Sequence, residues 1–488
     1  MRTLSSAKRL DFVELVSVLV ALGYTAAVIV FVAHHCYFYG DDFSGFLLSR
    51  TEHFFSYVMY PVGGQVVPLA RVLNAAFFSV AGLSYAAAVG TLAALHGVGM
   101  VYLYRTLQAL GSSRANLVLV ALYACYIDTW VQLGWWIAGL ERVPFMALSA
   151  MAIFHSVRHE QTERRRHLIA ASVLDVLALG FYSKALLLPA CMVGLDVARI
   201  PFSELRARRR LFAARWLTAT GVFALTLLCS LLEHRAAGMH AFGGTRATDL
   251  YYFMKLGIVS YAHSFFAVPM SAAAYSPKAV VAVLWMTLLG YTCYRARRAW
   301  ISWAVLFAFV VSNLLIIGLS NRVAVFGTFM AFEIRYYWEL WFFTCLFLGV
   351  ILKQLPATTP EARWFSSAPR AATQGSVAAL LVAYAALAYR GFSTTALSDS
   401  DPLPKTRAFV SALSADLKRL NSHEAPLKLT DDYLPPYVVG LDFTFLRQSQ
   451  LLFLMGERVM YCLPGKAEYR ITQEGRIVPV LKKPRAAR

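Results

Sequence analysis

Residues 13–33 read VELVSVLVALGYTAAVIVFVA, an apolar run of about twenty residues, which is the length that a helix needs to cross a bilayer. Arg2, Lys8 and Arg9 precede the run, as in a signal peptide, but no small-residue cleavage site follows it. We therefore predict a retained first transmembrane helix whose basic end lies in the cytoplasm.

The composition extends this prediction to most of the chain. Hydrophobic residues make up 58% of the 488 residues and charged residues only 15%, whereas a soluble domain has about 25% charged residues. Because so much apolar surface needs lipid around it, we predict a polytopic all-α membrane protein with about eleven transmembrane helices. The predicted spans are residues 13–33, 85–104, 115–134, 143–157, 168–182, 185–198, 216–232, 279–294, 300–319, 336–352 and 374–390.

Arginine clusters between these spans predict their orientation. Short loops rich in Lys and Arg stay in the cytoplasm, which places the N-terminus inside and fits a bacterial inner (plasma) membrane. Residues 34–84, 233–278 and 320–335 then lie on the outer face, as does everything after residue 390. The clusters are Arg158 with Arg164, Arg165 and Arg166; Arg199 with Arg206, Arg208, Arg209, Arg210 and Arg215; and Arg295 with Arg297 and Arg298.

Residues 249–270 form a further apolar segment, which contains Lys255 and His263. If this segment crossed the bilayer, the arginines at 295–298 would lie on the outer face, against the orientation of the other clusters. We therefore expect an interfacial or re-entrant helix in the outer loop.

The C-terminal region, residues 391–488, has more charges and more turn signals than the rest of the chain, which we treat as a transmembrane catalytic domain, residues 1–390. About a hundred residues can form a small α+β domain, and we place it on the outer face. We predict an amphipathic helix at 405–420 and a turn at Gln473-Glu474-Gly475. The predicted strands are Leu427–Thr430, Glu468–Thr472 and Arg476–Leu481.

Several functional classes are disfavoured by what the sequence does not contain. The net charge of +19 is accounted for by the loop clusters, so no nucleic-acid partner is expected. There is no P-loop, GxGxxG, GxSxG or HExxH motif, so no nucleotide cofactor is expected. The seven cysteines are scattered without a CxxC pair, which argues against a zinc site or a disulfide framework; Cys36 and Cys462 alone could meet on an oxidising face.

The first outer loop begins at residue 34 with HHCYFYGDDF, which contains two adjacent carboxylates, Asp41 and Asp42. Desolvation by the aromatic neighbours and the like charge both raise a carboxyl pKa, which suits a general base, and a carboxylate pair also suits a divalent cation such as Mg²⁺ or Mn²⁺. Alternatively, one of the pair caps a helix that begins near Phe43. The spacing does not separate these two interpretations. For His34 and His35 we expect a structural or interfacial role rather than metal binding.

A second candidate lies in residues 180–189, GFYSKALLLP, between two apolar runs at the outer face. Lys184 either snorkels to the bilayer interface or binds a phosphate as a point charge. Both interpretations remain open on composition alone.

A third candidate lies in residues 332–339, FEIRYYWE, which lead from an outer loop into a span. Arg335 can clamp an anionic group through two N–H donors, or it can form a salt bridge to Glu333 or Glu339. We assign Tyr336, Tyr337 and Trp338 first to an aromatic belt at the membrane interface. Local ion pairing or an aromatic belt is likewise the first expectation for Arg71, Glu141, Arg142, Glu233-His234-Arg235, Trp135 and Trp136, although the two tryptophans could also stack on a sugar.

The order of these features resembles the GT-C superfamily of membrane glycosyltransferases, which includes transferases that use polyprenyl-phosphate-linked sugars. The resemblance rests on an acidic pair after the first span, a Ser-Lys-x-x-x-x-Pro segment at 183–189, an Arg-Tyr at the head of a late span, and a closing outer domain. It covers the whole chain as architecture but only short motifs as sequence. Many relatives carry a His-Pro pair in the first outer loop, where this chain reads GGQVVP at residues 63–68.

The resemblance implies roles for these residues. Asp41 or Asp42 would deprotonate the acceptor hydroxyl or hold a divalent metal, and Lys184 and Arg335 would neutralise the phosphate of the departing lipid. Further substrate-binding candidates are Arg71, Glu333 and Tyr336.

The resulting hypothesis is an enzyme of the outer face that transfers a hexose or pentose from a polyprenyl-phosphate donor to a surface glycan, a glycolipid or an exported protein. Two alternatives are a multi-span transporter or lipid flippase and a glycan polymerase or ligase. Transporters often have repeated halves and charges within the spans, whereas this chain has no repeat and its charges gather at span ends. Polymerases and ligases generally use a large late outer loop between spans, whereas here the large outer segment is terminal.

Overall fold

The computed structural model describes the helical bundle and most of the C-terminal domain. The predicted span 216–232, the charged triplet 233–235 and the tail from residue 481 fall largely or wholly outside the described residues. The described residues are 11–59, 66–111, 115–213, 215–217, 220–221, 224, 228, 245–266, 278–320, 323–324, 327–355, 370–396, 402–420, 427–439, 446–457, 459–462 and 466–480.

Among the described residues before residue 400, all regular structure is helical. Short 3₁₀ segments interrupt the α-helices at Ser183–Leu187, Gly327–Phe332 and Ile334–Tyr336. The α-helices are α1 (Phe12–His35), α2 (Asp41–Thr51), α3 (Phe54–Val58), α4 (Pro68–Ala81), α5 (Tyr85–Leu110), α6 (Ala115–Ala124), α7 (Thr129–Gly134), α8 (Trp136–Thr162), α9 (Arg165–Leu179), α10 (Leu188–Arg199), α11 (Phe202–Ala207), α12 (Ala247–Ser264), α13 (Lys278–Arg295), α14 (Ala299–Gly318), α15 (Trp338–Gln354) and α16 (Arg370–Ala396).

Five of the described helices are long and apolar enough, by length and composition, to cross a membrane. The polytopic helical architecture predicted from the sequence is therefore confirmed. The core of the bundle lies where α8 packs against α5 and α9, and α1 packs beside α6 and α16. The five helical stretches are Phe12–His35, Tyr85–Leu110, Trp136–Thr162, Ala299–Gly318 and Gln374–Thr394.

The third predicted span, residues 115–134, is not one continuous helix. α6 ends at Ala124, the chain turns over residues 125–128, and α7 begins at Thr129. Asp128 lies in this break, where its Oδ2 accepts a hydrogen bond from Gln132 Nε2 at 2.9 Å. The largely apolar composition of residues 115–134 did not reveal this break.

The two short predicted spans, 168–182 and 185–198, are present as the short helices α9 and α10. The 3₁₀ segment Ser183–Leu187 joins them, and Pro189 stands in the first turn of α10, where a missing N–H costs nothing. This connection carries Lys184 into the bundle rather than towards the lipid.

The apolar segment 249–270 contains α12. Phe253, near its start, packs against Gly318 at the end of α14, and Phe265, just past its end, packs against Trp285 in the middle of α13, with ring centroids 4.5 Å apart. The helix therefore runs down beside its neighbours instead of lying across their ends. Whether the segment is interfacial or re-entrant in the outer loop stays a prediction.

The C-terminal region has the helix, strands and turn predicted for it. Its amphipathic helix, α17 (Pro402–Leu420), packs on a four-stranded sheet of order β2-β1-β3-β4, with β1 parallel to β2 and β3, and β3 antiparallel to β4. Strand β2 was not predicted, because a two-residue strand gives no periodic signal. The remaining elements are β1 (Lys428–Leu429), α18 (Pro436–Val439), α19 (Gln448–Leu454), β2 (Met460–Tyr461), β3 (Tyr469–Ile471) and β4 (Ile477–Pro479).

The C-terminal domain docks on the first outer loop. Arg407 Nη1 donates hydrogen bonds to the carbonyl oxygens of Ala33 and Cys36, at 2.6 and 3.0 Å, and Gly40 N donates to the carbonyl oxygen of Val438 at 3.0 Å. Gly40 has a φ of +56°, which a residue with a side chain rarely adopts. The tight turn and the docked domain together fix the backbone that leads into Asp41 and Asp42.

Candidate functional site

Asp42 is fully buried and serves as a structural anchor. Its Oδ1 accepts from the backbone N–H of Ile137 at 2.7 Å and its Oδ2 from that of Tyr39 at 2.9 Å. Ile137 lies in the first turn of α8, so the carboxylate caps a helix distant in sequence. Burial raises the pKa of Asp42, the charge of Asp41 raises it further, and the backbone donors oppose the rise.

Asp41 is half-buried and stands at the start of α2. Its Oδ1 accepts a hydrogen bond from the indole Nε1 of Trp135 at 2.8 Å. The two neighbouring carboxylates thus have different surroundings: Asp42 is held by backbone donors, and Asp41 reaches the partly exposed side of the site. The predicted cap of a helix beginning near Phe43 is wrong: α2 begins at Asp41, and its N-cap is Gly40 with no side-chain cap. Asp42 accepts from the first turn of α8 instead.

Arg335 lies on the other side of Trp135. The centre of its guanidinium is 4.6 Å from the indole centroid and 5.3 Å from the ring centroid of Tyr336. Its Nε is 3.2 Å from a carboxylate oxygen of Glu333, and the side chain keeps about 20% of its surface exposed. The predicted pairing of Arg335 with Glu333 is present, and stacking on aromatic rings holds the guanidinium as well.

Lys184 is buried and paired. Its Nζ bonds to a carboxylate oxygen of Glu339 and to Asn313 Oδ1, the latter at 2.9 Å. Neither the snorkelling interpretation nor an unpaired phosphate ligand describes this geometry, because Glu339 already balances the charge. Sequence reasoning had named Glu339 as a partner for Arg335 instead.

Tyr336 is the residue around which the cations gather. Its ring centroid lies 4.9 Å from the guanidinium of Arg142, 5.5 Å from Lys184 Nζ and 5.3 Å from the guanidinium of Arg335. Arg142 also donates from Nη1 to the backbone carbonyl of Arg335 at 2.8 Å. The negative face of an aromatic ring attracts cations, so Tyr336 holds three positive groups close together in a buried site.

The aromatic-belt interpretation is wrong for the segment that starts α15. Tyr336, Tyr337 and Trp338 are each at most 2% exposed, whereas belt residues lie at the lipid–water boundary. Trp136 is likewise buried, and its Nε1 donates to Asn74 Oδ1 at 2.7 Å, so it is neither a belt residue nor a sugar platform.

Arg71 lies beside this cluster rather than in it. It is buried in α4, where its guanidinium centre is 5.2 Å from the ring centroid of Tyr57. Its neighbour Asn74 accepts from Trp136 and donates to the Tyr57 hydroxyl at 2.7 Å. These contacts connect the first outer loop to α8, and no direct contact of Arg71 with Lys184 or Arg335 is recorded among the described residues.

Sequence reasoning did not single out Asp128 and Gln132, which lie beside the candidate site. Asp128 is buried in the break between α6 and α7, and Gln132 Nε2 lies 3.5 Å from the same Arg335 carbonyl that Arg142 contacts. A carboxylate inside an otherwise apolar run was the available signal for Asp128. Gln132 gave no signal of its own.

The predicted divalent cation remains a prediction. Asp41 and Asp42 are the carboxylates in question, and no group of three or more His, Cys, Asp or Glu side chains suited to a metal was found among the described residues. The six described cysteines are free thiols, Cys36 and Cys462 among them. His34 and His35 are exposed at the end of α1, and His35 packs on Phe31.

A small, partly open cavity lies at the other end of the bundle. It is lined by Asp175, Asp196 and Arg215 among others, and Asp196 pairs with Arg215 at 3.0 Å. Asp196 and Arg215 flank the loop that carries the second arginine cluster, so this cavity lies at the end of the bundle that the orientation assigns to the cytoplasm.

No protein-family model and no curated protein matches the chain. The chain is similar to the crystal structure of ArnT from Cupriavidus metallidurans bound to undecaprenyl phosphate. The sequence identity is 13% and the TM-score 0.49, and the similarity covers 91% of this chain and 85% of that one. At this level of similarity we base the proposed function on the arrangement of side chains described above.

Proposed function

We propose that the chain is a membrane glycosyltransferase that moves a sugar from a polyprenyl-phosphate-linked donor to an acceptor hydroxyl on the outer face of the membrane. The observation that carries this proposal is the placement of Asp41 and Arg335 on two sides of one indole ring, that of Trp135. A carboxylate and a cation separated by one side chain suit a displacement in which a proton is taken at one end and a phosphate leaves at the other.

In the proposed reaction the acceptor oxygen attacks the anomeric carbon as the bond from that carbon to the phosphate oxygen breaks. The hydroxyl proton passes to Asp41, and the departing lipid phosphate keeps the electron pair of the broken bond. Arg335 faces that developing charge with a planar fork of N–H donors. Tyr336 and Glu333 hold the guanidinium in place.

The roles of Lys184 and Asp42 are narrower than the family resemblance implies. Lys184 adds a donor near the phosphate, but Glu339 balances most of its charge, so Arg335 is the principal phosphate ligand. Asp42 anchors α8, and Asp41 is the base. A bound divalent cation would contact the same half-buried carboxylate of Asp41, and its requirement is tested by chelation.

The test compares two neighbouring substitutions of identical chemistry, Asp41→Asn and Asp42→Asn. The assay measures transfer of radiolabelled sugar from a polyprenyl-phosphate donor in membranes. Loss of a general base lowers the rate by about 10²–10⁴-fold, and we expect this for Asp41→Asn with normal folding. For Asp42→Asn we expect a lower thermal stability. One carboxylate oxygen is replaced by an amide NH₂ group, which cannot accept a hydrogen bond from a backbone N–H.

Wild-type activity per folded molecule in Asp41→Asn would exclude the proposed base. Movement of the lipid-linked donor across a proteoliposome membrane without cleavage of its sugar–phosphate bond would support a flippase. Use of an oligosaccharide diphosphate lipid instead of a monosaccharide phosphate lipid would support a polymerase or ligase.

A further inference from the structure

Trp135 contacts both halves of the candidate site. Its indole Nε1 donates to Asp41 Oδ1 at 2.8 Å, and its ring lies 4.6 Å from the guanidinium of Arg335. Asp41 and Arg335 are far apart in sequence and belong to different elements. The indole is therefore a direct physical link between the proposed base and the proposed phosphate ligand.

The position of the indole is fixed by the backbone and by a neighbouring ring. Trp135 precedes α8; its N–H donates to the carbonyl of Val131 at 2.9 Å, and its carbonyl accepts from Gly139 at 2.8 Å. The ring of Tyr39 meets it edge to face, with centroids 5.7 Å apart. A residue anchored at both backbone groups can hold its partners at a constant separation.

We infer that Trp135 is a positioning residue that fixes both the orientation of Asp41 and the place of Arg335, an inference that rests on the proposed function. The indole suits this task because its N–H is a donor only, so it orients a carboxylate without competing for the proton. Its ring face attracts a guanidinium through the quadrupole and leaves the edge donors of the arginine free for a phosphate. Phenylalanine offers the face without the N–H, and leucine offers neither.

This inference replaces both interpretations that the sequence left for Trp135. A sugar platform needs an open ring face, whereas one face of this indole contacts Arg335 and Tyr39 packs against the ring edge to face. A belt residue faces lipid, whereas Trp135 contacts an acid, an arginine and a tyrosine of the outer site.

The effects of the N–H bond to Asp41 and of the ring contact with Arg335 can be distinguished by comparing Trp135→Phe with Trp135→Leu in the intact membrane enzyme. Trp135→Phe keeps the ring and loses the N–H to Asp41, so we expect kcat to fall about tenfold or more, as for loss of a hydrogen bond to a charged group, with the KM for the lipid donor within about twofold of wild type. Trp135→Leu loses the ring as well, so we expect the donor KM to rise by a further factor of about three to thirty.

Trp136→Phe is the matched control. It also removes an indole N–H, but that group bonds to Asn74 in the buried interior. We expect a lower thermal stability and no separation of kcat from KM. A merely structural role for Trp135 would give this same pattern.

Three outcomes overturn the inference while the proposed function stands. They are wild-type kinetics in Trp135→Phe, parallel changes of kcat and donor KM in Trp135→Phe and Trp135→Leu, and a loss of stability alone. Absence of sugar transfer by the wild-type enzyme from any polyprenyl-phosphate donor would instead exclude the proposed function, whatever the variants do.

Discussion

Cations are buried at both ends of the helical bundle, but their partners differ. At the inner end, Arg199 bonds to Glu160 and lies 3.7 Å from Asp196, while Arg215 lies 3.0 Å from Asp196. Arg208 also reaches Glu160, at 3.8 Å. Carboxylates pair with these arginines, so the inner cluster ties helices together.

At the outer end, the cations contact aromatic rings as well as carboxylates. Arg142, Lys184 and Arg335 all lie within 5.5 Å of the ring centroid of Tyr336, and Arg335 also stacks on Trp135. A ring attracts a cation without cancelling its charge. The comparison teaches that stacking leaves Arg335, which is about 20% exposed and also pairs with Glu333, able to receive an anion. Lys184 is already balanced by Glu339, and the inner arginines serve the fold.

The largest expected difference between the two ends concerns Arg335 and Arg199. We expect Arg335→Ala to lower kcat/KM by about 10²–10³-fold, the loss found when a preorganised donor is removed from developing charge. Arg335→Lys keeps the charge but loses the planar fork of N–H donors and the stacking on aromatic rings. Its activity should lie between those of wild type and Arg335→Ala. Arg199→Ala is the inner control and should keep wild-type activity per folded molecule. Equal activity losses in both alanine variants, measured in the sugar-transfer assay, would contradict the distinction between outer and inner cations.

A stability effect without a rate effect is expected at the inner end. Asp196 and Arg215 expose only 2% and 4% of their side chains, so Asp196→Asn leaves buried positive charge without its partner. Removing one member of a buried ion pair typically costs about 3–5 kcal/mol. Thermal unfolding in detergent should therefore show a clear fall in Tm, with the transfer rate per folded molecule unchanged. A variant that unfolds like wild type but transfers sugar more slowly would place function at the inner cluster.

The smallest effect is expected for an exposed pair in the C-terminal domain. Lys428 Nζ lies 2.9 Å from Glu468 Oε1, and both side chains are about half exposed. Exposed ion pairs contribute little because water and salt screen them. We expect Lys428→Gln to leave both Tm and transfer rate at their wild-type values. A marked change in either would show that the exposure of an ion pair does not decide how much it contributes in this protein.

The sequence allowed the outer site to be located but not its pairings to be assigned. Span lengths and loop arginines placed Asp41, Lys184 and Arg335 at one end of the bundle, and contacts through Trp135 and Tyr336 connect them there. Span lengths and loop charges indicate which end of a helix a residue occupies. These signals were therefore sufficient to place the three residues at one end of the bundle.

The partner of Lys184 could not be predicted in the same way. Glu339 is 155 residues further along the chain, and both Glu333 and Glu339 are close to Arg335 in sequence. Which carboxylate meets which cation depends on how three helices and a 3₁₀ segment pack, and no local pattern encodes that. The break before α7 was also missed, because residues 115–134 are apolar enough to be taken for one continuous span.

The docking of the terminal domain has a consequence for biosynthesis. Arg407 bonds to carbonyl oxygens at the end of α1. One of these belongs to Ala33, which lies 374 residues earlier in the chain. Ribosomes deliver the chain from its N-terminus, so the loop that carries Asp41 is made long before the C-terminal domain that contacts it. The C-terminal domain thus completes the first loop, and a chain truncated before it lacks the contact that holds the acidic turn in place.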